Sequence, residues 1–279
     1  MRTFKRTLNL NTSESNHIRL VIISDLHVGH LSSSEKHLKA FLRENMDQPN
    51  TWLLGLGDHM ECVVPADVKR YQLSQVVSNS DDPDAVLDYQ TSTLTTLLRP
   101  YQDRIIGLSM GNHELAIVKR YGHNPHRRVC DDLGCDDLGY SFLMRLIIRP
   151  PALSNGTRAH ANSMVIYGCH GWGGASRTAG GNVTKYSRAL ETYLADLYVF
   201  GHSHDMFTRE IPRLMVDQRG KVKHRPAMVV NVGTFKKTMS DLAIPTWEES
   251  KGFPPRSLGG VVVKIYPSKS ERATIKVET

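Results

Sequence analysis

The sequence predicts an α/β fold in which two β-sheets pack together and are flanked by helices. Three observations lead to this prediction. Strand-length apolar runs recur along the 279 residues, helix-like segments alternate with them in the first two-thirds of the chain, and the last third is richer in strands. Neither an internal repeat nor a flexible linker divides the sequence, so a single domain over residues 1–279 is expected.

Eight runs have the aliphatic, β-branched composition of buried strands and are bounded by glycine, proline or polar residues. They are IRLVIIS (18–24), TWLLGLG (51–57), RIIGLSMG (104–111), FLMRLIIR (142–149), SMVIYGCHG (163–171), LYVFGH (197–202), AMVVNVG (227–233) and GGVVVKIYP (259–267). The turn DQRG (217–220) separates two strands of the last third.

Three segments carry helical signals: an apolar face behind a serine cap, a stretch bounded by two prolines, and an asparagine cap. In that order they are residues 33–45, 84–101 and 182–197. The basic segment 118–136 and the proline-rich segment 149–160 are predicted to be insertions or long loops.

The composition favours an intracellular protein with a sizeable core. Hydrophobic residues make up 40% of the chain, and the formal net charge of +7 is compatible with polyanionic partners. The four cysteines form no C-x-x-C pair, so reduced thiols are expected. The N-terminus has no apolar signal region, and no apolar run approaches the ~20 residues of a membrane helix. We therefore expect a cytoplasmic protein without a membrane partner.

Polar residues of the kind that bind metals stand directly after five of the predicted strands, and in three cases a glycine precedes them. They are Asp25, His27, Asp58, Asn112, His113, His170, His202 and His204. Ligands of open α/β sheets bind at the carboxyl ends of the strands, so these side chains should converge.

The spacing and the residue types favour a pair of metal ions. Asp25 with His27, and His202 with His204, would face one side in extended backbone. Imidazole nitrogen with carboxylate and amide oxygen suits Mn, Fe or Zn better than Ca or Mg. The seven candidates other than His113 are too many for one tetrahedral ion and suit two ions ~3.5–4 Å apart. Asp58, alone at its strand exit, is the expected bridge.

Five sequence blocks, in order, resemble the signature of the calcineurin-like metallophosphoesterase family. That signature runs D-x-H, G-D, G-N-H-[DE], an isolated H, and G-H-x-H. The matching blocks are DLH (25–27), GD (57–58), GNHE (111–114), His170 in GCHG, and GHSH (201–204). The resemblance implies a four-layer α/β/β/α sandwich of two mixed β-sheets flanked by helices.

The resemblance also implies a reaction and a role for each residue. A hydroxide held between two divalent ions, with manganese expected and iron or zinc as the alternatives, would attack phosphorus in line. His113 would protonate or stabilise the leaving oxygen. One ion would be held by Asp25, His27, Asp58 and His204, and the other by Asp58, Asn112, His170 and His202.

The substrate class is less closely defined. In the protein phosphatase branch, arginines near the G-D and G-N-H blocks grip a phosphomonoester, and this chain reads GDHMECV and LSM there. Their absence favours a phosphodiester, and the charge with the basic loop favours DNA or RNA. Arg177, Arg127 and Arg128 are candidate substrate contacts. The alternatives are a cyclic-nucleotide or other small-molecule diesterase, a phosphomonoesterase, and a non-catalytic scaffold of the same fold.

Overall fold

Two six-stranded β-sheets form the centre of the protein, and helices cover the outer face of each sheet. The computed structural model describes residues 1–64, 67, 71, 77, 82–151, 161–174, 176, 178–217, 219–239, 245–268 and 273–279. The predicted fold class, a sandwich of two mixed sheets flanked by helices, is confirmed.

The described strands and helices follow one another along the chain. They are β1 (Arg2–Asn9), β2 (Ile18–Ile23), α1 (Glu35–Met46), β3 (Thr51–Leu56), α2 (Pro83–Leu98), β4 (Ile105–Ser109), α3 (Asn112–Tyr121), α4 (Pro125–Leu133), β5 (Asp136–Asp137), β6 (Ser141–Arg149), β7 (Asn162–Cys169), α5 (Ala179–Ser187), α6 (Ala189–Thr192), β8 (Leu197–Phe200), β9 (Met206–Ile211), β10 (Leu214–Val216), β11 (Val222–His224), β12 (Ala227–Val232), α7 (Trp247–Ser250), β13 (Val261–Tyr266) and β14 (Thr274–Glu278).

Each sheet mixes parallel and antiparallel pairs. One sheet has the strand order β1-β6-β7-β8-β12-β9, and the other has the order β14-β13-β2-β3-β4-β5. In the first sheet β7, β8 and β12 are parallel, and in the second β2, β3, β4 and β5 are parallel. Since parallel strands end at the same edge of a sheet, each sheet presents a group of carboxyl ends on one side.

The central strands are apolar on both faces because they are buried on both faces. In β2, Leu20 and Ile22 pack between the sheets, whereas Val21 and Ile23 pack under the outer helices. The helices α1, α2 and α4 supply that outer layer, and α5 and α6 supply the matching layer on the other sheet. The result is four layers with three apolar interfaces.

The predicted loop over 118–136 is wrong, because most of it forms α3 and α4. The side chain of Asn124 accepts a hydrogen bond of 3.0 Å from the amide of Arg127 and caps α4, which begins at the following proline. Gly122 and Gly134, with φ of 68° and 64°, end the two helices in the left-handed conformation. Both glycines are helix stop signals in the sequence, but glycine is equally typical of loops.

Of the other helix predictions, two agree with the structure and the third is shifted along the chain. Segments 33–45 and 84–101 form α1 and α2, and α2 passes into a 3-10 turn over Arg99–Arg104. Segment 182–197 is displaced toward the N-terminus, because α5 begins at Ala179 and α6 ends at Thr192. The predicted asparagine cap is wrong, since Asn182 lies inside α5 and Thr178 is the residue before the helix. The prediction for 149–160 falls largely on 152–160, which lie outside the described residues.

Several strands with one solvated face were not predicted. β1 and β14 alternate between exposed and partly buried positions, and half of the residues of β9 are exposed. The turn predicted at 217–220 is confirmed, since β10 and β11 pair antiparallel across it. None of the described helices is long and apolar enough to cross a membrane.

Truncating a side chain between the sheets should destabilise the fold strongly. Phe142 of β6 is fully buried there and contacts the ring of Phe4 edge-on at 6.4 Å. We expect Phe142→Ala to lower the free energy of unfolding by about 3–5 kcal/mol, measured by urea denaturation, because it leaves a cavity. Leu194→Ala is the control, since this leucine is 68% exposed. Equal effects of the two substitutions would contradict the described core.

Candidate metal centre

The seven candidate metal ligands meet at one edge of the sandwich. They follow β2, β3 and β4 in one sheet and β7 and β8 in the other, so the carboxyl ends of both sheets open onto this edge. Three overlapping groups of side chains have their ligand atoms within 4.8 Å of one another. The groups are Asp25, His27 and His204; His27, Asp58 and His113; and Asp58, His170 and His202.

The first group joins the loops after β2 and β8. Nε2 of His204 lies 3.1 Å from Nε2 of His27 and 3.3 Å from Oδ1 of Asp25. The other carboxylate oxygen of Asp25 accepts the backbone amide of His202 at 2.8 Å and the hydroxyl of Ser24 at 2.6 Å. One oxygen of Asp25 is therefore held by the protein, and the other points at the two imidazoles.

The third group, together with Asn112, joins the loops after β3, β4, β7 and β8. Nε2 of His170 lies 3.1 Å from Oδ2 of Asp58 and 3.1 Å from Oδ1 of Asn112. Nδ1 of His170 donates to the carbonyl oxygen of Leu56 at 2.7 Å. Nε2 of His202 donates to the carbonyl oxygen of Gly173, which leaves Nδ1 of His202 as its ligand atom.

Asp58 connects the groups. It shares one group with His27 and His113 and another with His170 and His202. Its Oδ1 accepts the backbone amide of His113 at 2.9 Å, while its Oδ2 faces His170. The structure thus places the carboxylate where the sequence predicts a bridge.

The donor set fits divalent cations because atoms with lone pairs face one another. Nδ1 of His27 lies 2.7 Å from a carboxylate oxygen of Glu61 and carries the proton, so Nε2 presents its lone pair to His204. Oδ1 of Asp25 is buried and has no hydrogen-bond partner within the described part of the chain. Burial of such atoms is costly unless a cation balances them.

The charges of the buried groups agree with this conclusion. Burial lowers the pKa of His27 to about 4, although Glu61 opposes the shift, so the ring is neutral as a metal ligand must be. Burial also lowers the pKa of His170, but the carboxylates of Asp58 and Asp25 outweigh it and raise that pKa to about 9. Burial raises the pKa of Asp58, yet His170 and His113 bring it well below its usual value. The carboxylates of Asp58 and Asp25, which retain a proton on His170, would also stabilise a bound metal cation.

The backbone of the ligand pairs is left-handed, so the expectation of extended backbone is wrong. Among the seven candidates, five have positive φ angles: Asp25 (52°), His27 (50°), Asp58 (47°), His202 (68°) and His204 (53°). Each such residue costs on the order of 1 kcal/mol, and strain of this kind concentrates at functional sites. The pairs converge because the chain folds back over the strand ends.

Two of the glycines that precede ligands are required by close approach. Gly57 has φ of 88°, and a Cβ atom there would lie 2.6 Å from the backbone nitrogen of Gly111. A Cβ atom on Gly111 would overlap the carboxylate of Asp58. The loops after β3 and β4 therefore cross in direct backbone contact, which only glycine permits.

The comparison with protein families decides the identity of the fold. A sequence profile of the calcineurin-like phosphoesterases matches residues 18–206, which is more than half of the chain and includes every candidate ligand. The chain belongs to this family. It is therefore a metal-dependent phosphoester hydrolase, as the sequence blocks predicted.

Solved structures of low sequence identity resemble this phosphoesterase. Vps29 of Entamoeba histolytica in complex with Zn²⁺ is 14% identical, with a TM-score of 0.38 over 94% of this chain and 97% of that one. A metallophosphoesterase of Sphaerobacter thermophilus is 11% identical, with a TM-score of 0.38 over 94% and 89%. The NAD nucleotidase of Haemophilus influenzae is 11% identical, with a TM-score of 0.43 over 93% and 49%. A comparison with curated protein sequences gave no match.

A sixth strand exit of the phosphoesterase supports the ligand loops and was not predicted. After β12, the hydroxyl of Thr234 and the amide of Phe235 donate to the carbonyl oxygen of Asp25 at 2.8 and 3.0 Å. The side-chain amide of Asn231 donates to the hydroxyl of Ser203 at 2.7 Å, between the two histidines of GHSH. The run AMVVNVGT, a strand followed by polar residues like the other exits, was the available signal.

Two buried glutamates orient the candidate ligands. Glu61 holds Nδ1 of His27. Glu114 accepts the amides of Gly111 and Asp58 at 2.9 and 3.2 Å with one oxygen, and that of Met60 at 3.0 Å with the other. Carboxylates that fix a ligand in this way commonly matter for metal affinity almost as much as the ligand does.

His113 stands at the open side of the centre. Its Nδ1 donates to the carbonyl oxygen of Glu61 at 2.5 Å, and its Nε2 lies 3.9 Å from Oδ2 of Asp58. The ring meets that of His27 edge-on at 4.7 Å. Because Nδ1 carries a proton, a second proton on Nε2 would be the one available to a leaving group. Its role as the acid stays a prediction.

The three candidate substrate arginines stay predictions as well. Arg127 and Arg128 lie on α4, where they pair with Asp131 at 3.0 Å and with Asp88. Both ion pairs are on the exposed surface of the helix. Arg177 lies outside the described residues.

Removing the carboxylate behind His27 should weaken metal binding. We expect Glu61→Ala to lower the affinity for Mn²⁺ by about 10–100-fold in isothermal titration, because His27 loses the partner that sets its tautomer and orientation. Glu61→Gln keeps an oxygen acceptor and should have a smaller effect. Glu35→Ala, which removes a partly exposed carboxylate from α1, is the matched control. An unchanged affinity in Glu61→Ala would contradict this role.

Proposed function

We propose that this phosphoesterase hydrolyses phosphodiesters, with nucleic acid as its substrate class and two divalent cations as its cofactors. The observation that carries the proposal is the position of Asp58 between two sets of ligand atoms. One carboxylate shared by two clusters is the arrangement that a dinuclear centre for phosphoryl chemistry requires.

The residues divide between the two cations as the family pattern implies. One cation would be held by Asp25, His27, Asp58 and His204, and the other by Asp58, Asn112, His170 and His202. When bound, the cations supply Lewis acidity that activates water and neutralises charge on the phosphoryl oxygens. Manganese is the expected ion, since the mixed nitrogen and oxygen ligands suit it.

The role that remains is that of the general acid, and we assign it to His113. Its Nδ1 donates to the carbonyl oxygen of Glu61, which orients the ring. Its backbone amide donates to Oδ1 of Asp58. Nε2 is thereby free to deliver a proton to the departing ester oxygen. A positioned acid of this kind typically contributes ~10²–10⁴-fold to the rate, and most where the leaving group is poor.

A diester is favoured over a monoester by the absence of the family's phosphate-gripping arginines. The residue before the GNHE block is Met110, which is buried and apolar. After the GD block stand His59, Met60 and Glu61, and all three are buried. A monoester dianion carries an extra negative charge that these residues cannot balance, whereas a diester monoanion needs less compensation.

Nucleic acid is favoured by charge. The net charge of +7 promotes association with a polyanion. The exposed arginines of α4 contribute to this positive charge at the surface. Arg127 and Arg128 are both paired with carboxylates. We therefore expect each arginine to attract nucleic acid only through the net charge of the surface, unless a phosphate displaces its carboxylate partner. A small nucleotide or another diester is the competing substrate.

Turnover of simple esters separates these possibilities. With Mn²⁺ we expect a higher kcat/KM for bis-p-nitrophenyl phosphate than for p-nitrophenyl phosphate, and loss of activity in a chelator. Linear DNA and RNA should be cleaved in preference to cyclic nucleotides. A preference for the monoester would contradict the diesterase proposal, cleavage of cyclic nucleotides alone would contradict the nucleic-acid proposal, and tight metal binding without turnover would indicate a scaffold.

Substitution of His113 tests the acid. We expect His113→Ala to lower kcat by about 10²–10⁴-fold on a nucleic-acid ester, whose alkoxide leaving group needs a proton, and much less on a p-nitrophenyl ester. Isothermal titration should still detect both metal ions. His123→Ala, an exposed histidine after the same helix, is the control. Full activity of His113→Ala on the nucleic-acid ester would rule out the assigned role.

A further inference from the structure

One exposed aromatic side chain stands beside the metal centre and is not used by the chemistry above. Trp172 follows His170 by two residues, in the segment between β7 and α5. Its indole is 38% exposed, whereas the two rings beneath it, Tyr186 and Phe200, are fully buried. The centroid of the indole lies 5.4 Å from that of Tyr186 and 5.8 Å from that of Phe200. Its plane is nearly perpendicular to both rings. The side chain therefore packs against buried rings and still exposes more than a third of its surface.

The backbone on both sides of Trp172 is attached to the metal centre. The carbonyl oxygen of Gly171 accepts the hydroxyl of Tyr140 at 2.8 Å, and that of Gly173 accepts Nε2 of His202. Gly171 is packed so closely that a Cβ atom there would lie 2.7 Å from Cβ of His202. Since adjacent α-carbons are only ~3.8 Å apart, Trp172 is held within one residue of these contacts.

The rings beneath Trp172 are equally well anchored. Tyr186 and Phe200 stack with their centroids 4.4 Å apart and their planes inclined by 7°. The hydroxyl of Tyr186 donates to the carbonyl oxygen of Gly201 at 2.9 Å, directly before the metal-ligand histidines of GHSH. A cation of α5 reaches the segment that carries Trp172, because Nζ of Lys185 donates to the carbonyl oxygen of Gly174 at 3.2 Å. The indole is therefore presented by a rigid support.

We infer that Trp172 is the stacking platform for a nucleobase of the substrate, next to the phosphodiester at the metal centre. The inference rests on the proposed function and defines the substrate further, as a diester that carries a base. An indole that is held against buried rings and remains partly exposed is suited to stacking, which tolerates every base because every base has a π-face. The adjacent Lys185 ammonium suits the phosphate that links the next nucleotide.

Two substrates with the same leaving group test the platform. Thymidine 5′-(p-nitrophenyl phosphate) and methyl p-nitrophenyl phosphate are both diesters, and only the first carries a base. We expect Trp172→Ala to lower the kcat/KM ratio of the thymidine ester to the methyl ester by about 10-fold, the loss typical of one stacked base. Trp172→Phe keeps a ring and should retain most of the ratio. Tyr89→Ala, which removes a 42% exposed ring from α2, should leave the ratio unchanged.

A binding measurement gives a second readout that does not need turnover. Thymidine 5′-monophosphate should quench the tryptophan fluorescence of the wild-type protein with Mn²⁺, ribose 5-phosphate should not, and Trp172→Phe should abolish the quenching. If Trp172 only covers the core, its replacement would lower the melting temperature. The kcat/KM ratio of the two esters and the fluorescence quenching would then stay unchanged. That result would overturn the inference. Failure of the wild type to cleave either ester, with quenching intact, would instead overturn the proposed function alone.

Discussion

The buried carboxylate of Asp58 is the constraint on which the rest of the centre depends. One of its oxygens accepts the amide of His113 and the other faces His170, which belongs to the opposite sheet. Glu114 receives the backbone amide of Asp58 itself. A buried carboxylate is tolerated only where hydrogen bonds and positive charge surround it, and here the hydrogen bonds are supplied by the protein and the charge by His170 or a cation. The contact also ties the two sheets together at their common edge.

The ligand loops are strained, and the apolar layers of the sandwich hold them in place. Left-handed residues would relax toward other conformations if the strand ends could move, but β2, β3 and β8 are buried on both faces. A ladder of backbone hydrogen bonds continues past the strands, with Asp25 and His27 donating to the carbonyl oxygens of Gly57 and Asp58 at 3.0 Å. The rigid scaffold thereby presents ligands in a geometry that an isolated loop could not keep.

Strands that are buried on both faces were predicted correctly from the sequence, whereas several elements with one solvated face were not. Strands buried on both faces were found because nearly all of their residues are apolar, whereas β1 and β14 carry polar residues on one face and resemble loops. In α3 and α4 at least half of the residues are polar, so the asparagine cap and the terminal glycines were the only clear signals. Predicting these elements requires knowledge of which face meets the core.

The sequence by itself determined the fold family and the residues of the centre, because metal chemistry demands particular side chains at strand ends and the five blocks supply all of them in order. The tertiary structure decided how they are held. The left-handed backbone of the ligand pairs, the support from Thr234 and Asn231, and the position of Trp172 over Tyr186 and Phe200 involve partners far apart in the chain. Such contacts depend on how the sheets and helices pack against one another, and no local pattern of residues encodes that packing.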